Sequence, residues 1–289
     1  MKKSLSFVVA ILFSLTAFGQ DAADLINKAN EALKANQYAE AFEMYDKAMS
    51  NLGDVQVPKS INFNIAFAAM QAEKNEAALS YFDKAIQAGT EDAASGINVS
   101  KCYENKAVIY NKMKDLPNAL ASFEKALELS EDKPGSLIMN TAVTAFKLGN
   151  YEKAISFFDQ AYTAGFRPED ALMNKAMAYK KLDNDEGFKQ TLVAANEKFP
   201  ENKKIATALA GVYVGEGNAL YKGGVEILNA ANTKVNEGKL KTEDAEYKSE
   251  LEKVKAEFGK ATEVLNLAVK LDPANPNAQK LIDACNQLK

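Results

Sequence analysis

A triplet of a small, an aromatic and a small residue recurs along this chain and constrains its fold more than any other feature. In the clearest copy, Phe158 comes four positions after Ala154 and three positions before Ala161. On an α-helix of about 3.6 residues per turn, this spacing places all three side chains on one face. We predict that the alanines let a neighbouring helix approach closely while the ring fills the space between.

The triplet occurs four times at nearly regular intervals. Its first alanines are 37, 41 and 35 residues apart, and two weaker copies start at Phe188 and Ala261. Each copy follows another stretch with helical periodicity, so the repeating unit is predicted to be two helices joined by a short turn. The predicted packing residues of the four best copies are Ala41, Tyr45, Ala48, Ala78, Phe82, Ala85, Ala119, Phe123, Ala126, Ala154, Phe158 and Ala161.

This pattern resembles the tetratricopeptide repeat (TPR), a helical pair of about 34 residues whose second helix carries the same triplet. The resemblance covers about residues 22–273. It implies an all-α, right-handed superhelical solenoid of about six helical pairs, in which each repeat packs on its neighbours. The expected single solenoid spans residues 20–289, with repeats at about 22–55, 59–92, 100–133, 135–168, 169–202 and 203–273.

The sixth repeat is predicted to contain an insertion. Its triplet starts at Ala261, 73 residues after the weak triplet that starts at Phe188, which is about twice the usual spacing. The intervening sequence has apolar residues at coiled-coil spacing, as in Leu251, Val254 and Phe258. The insertion is therefore predicted to be helical.

We expect this insertion to be a projecting hairpin of two antiparallel helices over about 218–259. A turn near Glu237-Gly238 is predicted, with Thr242 as the N-cap of the second arm, because a hydroxyl there can accept from backbone N–H groups. Residues 275–289 are predicted to form a helix that caps the last repeat, since the open end of a solenoid needs a cover.

Residues 1–19 are predicted to form a secretory signal peptide. Two lysines precede an apolar run that ends at Phe18, and the small residues Ala17 and Gly19 are typical of a cleavage site. The run is short for a membrane-spanning helix, and an uncleaved anchor is the alternative. We expect cleavage near Gly19/Gln20, no stable membrane span afterwards, and a periplasmic or secreted location, as in TPR proteins of the Gram-negative envelope.

The composition argues against several classes of function. The chain has no histidine, the commonest general base and the commonest zinc ligand. Arg167 is its only arginine and its net charge is -4, which disfavours nucleic-acid binding. Cys102 and Cys285 are 183 residues apart and are interpreted as buried helix residues. The protein is predicted not to be an enzyme and to hold no metal or cofactor.

An asparagine recurs at one position of the first helix in the five ordinary repeats. These residues are Asn27, Asn64, Asn105, Asn140 and Asn174. An asparagine amide both donates and accepts hydrogen bonds, so a row of them can pair with successive peptide groups of an extended chain. The TPR resemblance implies that these first helices line a concave groove that binds peptides. The alternative is that each asparagine bonds only to its neighbouring helix.

Apolar residues flank the asparagine row on the same predicted face. An apolar groove containing methionines suits adaptable binding to varied partners, although packing between helices is the alternative. The predicted contacts are Phe63, Phe67, Met139, Met173 and Met177, with Ile26, Met70, Val108, Val143 and Phe146 nearby.

Some TPR proteins grip the C-terminal carboxylate of chaperone tails with lysines and arginines from three successive first helices. The corresponding residues of this chain are Ile26, Asn30, Asn64, Lys101 and Asn105. Only Lys101 carries a charge, so a carboxylate clamp of this kind is not predicted.

The sequence therefore predicts a non-catalytic protein–protein interaction scaffold or adaptor in the bacterial envelope. An extended peptide or a partner protein would bind in the concave groove. The alternative is a structural role, in self-association or as a subunit of an envelope complex, through the projecting hairpin. The sequence names neither the partner nor the oligomeric state.

Overall fold

The computed structural model describes residues 17–287, with side chains from residue 21 onward. Over this range the chain forms thirteen α-helices, one 3-10 turn at Ala93–Ser95 and no strand, and the predicted all-α fold of helical pairs is confirmed. The helices are α1 (Ala17–Lys34), α2 (Tyr38–Ser50), α3 (Ile61–Gln71), α4 (Asn75–Glu91), α5 (Val99–Lys112), α6 (Leu116–Leu129), α7 (Gly135–Leu148), α8 (Tyr151–Thr163), α9 (Pro168–Lys181), α10 (Asp185–Lys198), α11 (Lys203–Asn236), α12 (Ala245–Leu271) and α13 (Pro276–Gln287).

The chain divides into two compact units. The first unit ends at Ala164 and the second begins at Gly165. Four antiparallel pairs, from α1/α2 to α7/α8, make up the first unit, and α9/α10, α11/α12 and α13 make up the second. Residues 1–16 of the predicted signal peptide and residues 288 and 289 of the predicted capping helix lie outside the described residues.

The two helices of each of the first five pairs are joined by the same turn. One residue of this turn has a positive φ. Its N–H group and the N–H group of the following residue donate to carbonyls at the end of the first helix. In the second pair, for example, Glu73 bonds to the Met70 carbonyl and Lys74 to the Ala69 carbonyl, the arrangement known as a Schellman motif. The five positive-φ residues are Asn36, Glu73, Lys114, Gly149 and Asp183.

This shared turn places the five repeats in one structural register. Counting back nine residues from each positive-φ residue reaches one of the five asparagines predicted to form a row, from Asn27 to Asn174. The row therefore occupies equivalent backbone positions in α1, α3, α5, α7 and α9.

The recurring triplets form the core between the paired helices. Every predicted packing residue, from Ala41 to Ala161, is at most 1% exposed. Tyr45, Phe82, Phe123 and Phe158 are among the largest fully buried side chains. Full burial of one such ring stabilises the fold by about 2 kcal/mol, so each pair has its own apolar anchor.

The inserted hairpin consists of the 34-residue helix α11 and the 27-residue helix α12. They approach closely where glycines of α11 face large side chains of α12. A Cβ on Gly217 would lie 2.5 Å from Leu265, and one on Gly224 would lie 2.5 Å from Phe258. Since carbon atoms cannot approach that closely, side chains at these two positions would push the helices apart.

The hairpin turns where the sequence predicts, but its second arm starts later. α11 ends at Asn236, followed by Gly238 with φ +69°. The prediction of Thr242 as N-cap is wrong, because Asp244 is the N-cap residue of α12. The Asp244 carboxylate accepts from the Lys241 amide at 2.8 Å, which holds the preceding residues in a turn of their own.

α13 packs on the base of the hairpin. Its buried residues Ala278, Ile282 and Cys285 lie on one face, and the helix contacts both α12 and α11. Its other residues are mostly exposed and polar. α13 thus covers apolar residues of the last pair with a polar outer face.

Candidate functional site

The first helices of the first three pairs line a cavity of about 450 Å³, which we call the first cavity. Its size is in the range of sites that hold a small molecule or a few peptide side chains. The first cavity is lined by Asn30, Leu33, Lys34, Asn36, Tyr38, Phe63, Asn64, Phe67, Lys101 and Asn105.

Helical spacing brings the apolar walls of the first cavity together. Phe63 and Phe67 are four residues apart on α3 and so lie on one face. The ring of Phe67 packs edge-on against Tyr38, with 5.9 Å between the ring centroids. Phe63 packs in the same way against the buried ring of Phe82, with 5.8 Å between the centroids. Both phenylalanines are only partly buried, so packing orients their rings and leaves apolar surface towards the cavity.

The buried Tyr45 hydroxyl lies beside two asparagines of this cavity. The Tyr45 hydroxyl donates to Asn30 Oδ1 at 2.6 Å. Burial raises the pKa of the Tyr45 phenol, and a hydrogen bond with Asn64 lowers it by less. Asn64 therefore lies next to Tyr45 of α2, the neighbouring helix.

Asn105 has no such partner. Its side chain lines the first cavity and is 6% exposed. Its Nδ2 atom is buried and has no acceptor within hydrogen-bonding distance among the described residues. An unpaired buried donor costs about 1–3 kcal/mol, so a turn of the Asn105 side chain that brings Nδ2 to an acceptor in the cavity would remove this cost.

The rest of the asparagine row lies in different surroundings. Asn27 and Asn140 are exposed, and Asn174, in the second unit, is partly buried. Asn140 lines a second cavity, and Asn27 lines neither of the two. The row is regular in its backbone positions, but only Asn64 and Asn105 share one cavity.

This second cavity has a volume of about 340 Å³ and lies along α5 and α7. Asn111 Nδ2 donates to Thr144 Oγ1 at 3.0 Å, and Thr144 in turn donates to the Asn140 carbonyl at 2.8 Å. The α5 helix lines both cavities. The second cavity is lined by Val108, Asn111, Lys112, Phe123, Asn140, Val143, Thr144 and Lys147.

The predicted methionine contacts lie apart from these cavities. Met139 is 5% exposed and belongs to the core. Met173 packs against a core cluster of the second unit that includes Leu192. Met177, also in the second unit, is 39% exposed. Phe63 and Phe67 are thus the two predicted apolar contacts that line the first cavity.

Sequence reasoning missed three of the four lysines that line these cavities. Lys34, Lys112 and Lys147 each precede the positive-φ residue of their turn by two positions. The interval is constant, so the register that identified the asparagines could also have identified this row. Leu33 and Tyr38 were missed as well, because they flank a turn rather than share a helix face.

The second unit contains a third cavity, of about 570 Å³, between α9, α10 and α11. Gly211 and Gly215 form part of its wall, and a Cβ on either would meet nothing within 4 Å. Both of its lysines are paired, since Lys189 bonds to Glu216 at 2.7 Å and Lys180 to Asp185 at 2.6 Å, and Glu186 adds one further negative charge. The hydrogen bond to Glu216 also raises the pKa of Lys189.

Three structural findings bear on other classes of site. Cys102 and Cys285 are both buried, and burial raises the pKa of the Cys102 thiol to about 12. Among the described residues, no group of three or more cysteine, aspartate or glutamate side chains is placed to hold a metal ion. No helix within residues 17–287 is both long and apolar enough to cross a membrane.

Comparison with known proteins supports the TPR resemblance. Residues 59–132 and 98–165 match the family model of the tetratricopeptide repeat. In fold, the chain is similar to the C-terminal part of a TPR repeat-containing protein from Cytophaga hutchinsonii, with a TM-score of 0.50 and 17% identity over 89% of this chain and 99% of that one. At this identity the similarity concerns the fold alone.

Two curated proteins are distant relatives in sequence. The Hsp70-Hsp90 organizing protein of Triticum aestivum is 29% identical over 144 residues, which are 50% of this chain and 21% of that protein. Heat shock protein STI1 of Saccharomyces cerevisiae is 27% identical over 159 residues, 54% of this chain and 24% of that protein. The matches thus span less than a quarter of either relative.

Proposed function

We propose that this protein is a non-catalytic adaptor that binds an extended segment of a partner protein through the first unit. TPR proteins as a group mediate protein–protein interactions. The observation that carries the proposal is the first cavity, where the partly exposed rings of Phe63 and Phe67 lie beside the unpaired amide of Asn105. This combination offers an apolar pocket beside a side-chain amide that can donate to a peptide carbonyl.

The combination suits a peptide better than a catalytic reaction. An apolar side chain that buries about 100 Å² in the cavity would gain about 2.5 kcal/mol. A peptide carbonyl would satisfy the Asn105 amide. Because ordering an extended segment offsets part of this gain, we expect dissociation constants on the order of micromolar.

We also propose that the protein acts in the bacterial envelope. The support is the sequence of residues 1–19, with its lysines, apolar run and small residues before Gln20. A periplasmic or secreted adaptor would meet its partners after export.

The alternative is self-association, or assembly into an envelope complex, through the α11–α12 hairpin. Its support is the length of the two helices, which exceeds that of every other described helix. The hairpin packs its apolar residues internally, however, with Val225 and Leu228 against the cluster around Val254 and Phe258. The first cavity therefore offers the stronger site.

The full-length protein can be tested by selecting peptides from an unbiased randomised library and measuring their affinity by fluorescence polarisation. We expect Phe67→Ala to weaken the selected peptides about tenfold, because the apolar wall is lost. The matched control is Phe157→Ala, which truncates a partly buried phenylalanine of α8 that lines neither cavity of the first unit.

Thermal unfolding followed by circular dichroism would show whether either variant has lost its fold. Failure to select any binding peptide, or equal loss of affinity in the two folded variants, would rule out the first cavity as the binding site.

A further inference from the structure

The lysines of the first unit make its two cavities positively charged. Lys34 and Lys101 line the first cavity, and Lys112 and Lys147 line the second. The described residues that line these two cavities include no aspartate or glutamate. This is a local excess, because the chain as a whole has a net charge of -4.

Three of these lysines are not neutralised by the protein. Among the side chains of residues 21–287, no carboxylate forms an ion pair with Lys34, Lys112 or Lys147. All three are exposed. Lys101 differs, since it pairs with Glu104 at 2.8 Å. The third cavity differs too, because its lysines are paired with acidic residues of the same cavity.

The unpaired charges recur with the repeat. Each lies two residues before the positive-φ residue of its turn, in α1, α5 and α7. A ligand that uses them all must carry negative charge at several points along its length. A single carboxylate at the end of a peptide chain carries too little charge to pair with all three lysines.

We propose, resting on the peptide-binding function above, that the occupant is an acidic, extended internal segment of a partner protein. Its aspartate or glutamate side chains pair with Lys34, Lys112 and Lys147. An apolar side chain of the same segment fills the first cavity between Phe63 and Phe67. A main-chain carbonyl next to this side chain accepts from the buried amide of Asn105.

The size of the charge effect follows from the exposure of these lysines. An exposed ion pair contributes about 0.2–1 kcal/mol, so three pairs together correspond to about tenfold in affinity. Salt screens exposed charges, and the acidic preference should therefore shrink as ionic strength rises.

The test compares three randomised libraries of peptides of about 12 residues, an extended length of about 40 Å. The first has aspartate or glutamate at alternate positions and an amidated C-terminus. The second has asparagine or glutamine at those positions and is also amidated. The third is the neutral library with a free C-terminal carboxylate. A single-stranded oligonucleotide of similar length serves as a fourth probe.

We expect the full-length protein to bind the acidic amidated library about tenfold more tightly than either neutral library, and more tightly than the oligonucleotide. Replacing Lys34, Lys112 and Lys147 by glutamine should abolish this preference, so that acidic and neutral amidated peptides bind equally. The groove variant combines Lys34→Gln, Lys112→Gln and Lys147→Gln.

The matched control removes the same number of exposed lysines outside both cavities, where no ion pair is formed within the described residues. It should keep the acidic preference, so that a change in net charge alone is not mistaken for a site. The control variant combines Lys47→Gln, Lys59→Gln and Lys74→Gln.

Each other outcome has a distinct meaning. Equal binding of acidic and neutral amidated peptides would overturn the acidic ligand and leave the proposed function standing. Preference for the free-carboxylate library would mean that the ligand is the C-terminus of a partner chain and not an internal acidic segment. Preference for the oligonucleotide would mean that the ligand is a nucleic acid. Loss of the preference in the control variant would overturn the assignment to these three lysines. Binding of no peptide at all would overturn the proposed function itself.

Discussion

The turn residues of the helical pairs show how one backbone position can be filled at different energetic cost. Glu73 has φ +60° and Lys114 has φ +62°, in the left-handed region that costs an ordinary residue about 1–2 kcal/mol. Gly149 occupies the same position of the fourth pair with φ +85° and avoids this strain. The second and third turns are therefore less favourable than the fourth.

We predict that Glu73→Gly and Lys114→Gly each stabilise the protein. Relief of strain exceeds the larger entropy of glycine in the unfolded chain, for a net gain of about 0.5–1 kcal/mol. Urea unfolding followed by circular dichroism would measure it. The reverse change, Gly149→Ala, should destabilise by a similar amount, and a stabilising Gly149→Ala would contradict the argument.

Residue periodicity predicted where the asparagines lie but not what surrounds them. Asn27 and Asn105 hold equivalent positions, yet Asn27 is exposed and Asn105 is buried. Burial depends on the neighbouring helices and on the particular side chains that they carry, and a periodic pattern does not specify these. The unpaired amide of Asn105 therefore became visible only in the folded arrangement.

At the scale of elements, the α11–α12 hairpin depends on two glycines that face large side chains. Gly217 lies against Leu265 and Gly224 against Phe258, each too close for a Cβ. Gly215, on the same helix, would meet nothing within 4 Å. The three glycines thus have different roles although the sequence presents them as one glycine-rich stretch.

We predict that Gly224→Ala destabilises the protein by about 1–3 kcal/mol, since overpacking forces the helices apart. Gly215→Ala should be neutral or stabilise by up to about 1 kcal/mol, because alanine favours a helix more than glycine does. Urea unfolding of both variants would test the pair. Equal stability of the two would show that the close approach at Phe258 does not limit packing.

The elements themselves were largely predictable because each carries a periodic signal. The coiled-coil spacing of Leu251, Val254 and Phe258 predicted α12, and the glycine at position 238 marked the turn before it. The start of α12 was not predictable in the same way. Thr242 and Asp244 are both good N-cap residues, and residue type alone does not decide between two candidates that are two positions apart. In the structure the Asp244 carboxylate accepts from the Lys241 amide.

At the scale of the whole molecule, the pairs were predictable and the division into units was not. The fourth and fifth repeats follow each other at the ordinary spacing of 34 residues from Ala154 to Phe188. Nothing in that spacing distinguishes Ala164 and Gly165 from the junction of any other two pairs. Compactness depends on contacts summed over many residues, which a repeat pattern does not report.

Export is a prediction about the whole molecule. We expect the mature protein, expressed with its own leader in a Gram-negative host, to begin at Gln20. Ala17→Arg should block cleavage, because the site requires a small residue there, whereas Phe18→Leu should not. Intact-mass measurement of the periplasmic and cytoplasmic fractions would test this. A full-length mass in all three proteins would contradict the cleavage site.

The common turn has a consequence for how such a protein can change over time. Its hydrogen bonds come from the backbone, so asparagine, glutamate, lysine, glycine and aspartate can all occupy its positive-φ position. Several polar side chains that line the cavities lie at a constant interval before this position, the asparagines by nine residues and three lysines by two. The first helix of one pair could therefore be exchanged for that of another while the structural register is kept. Such exchanges would change the ligand preference one pair at a time.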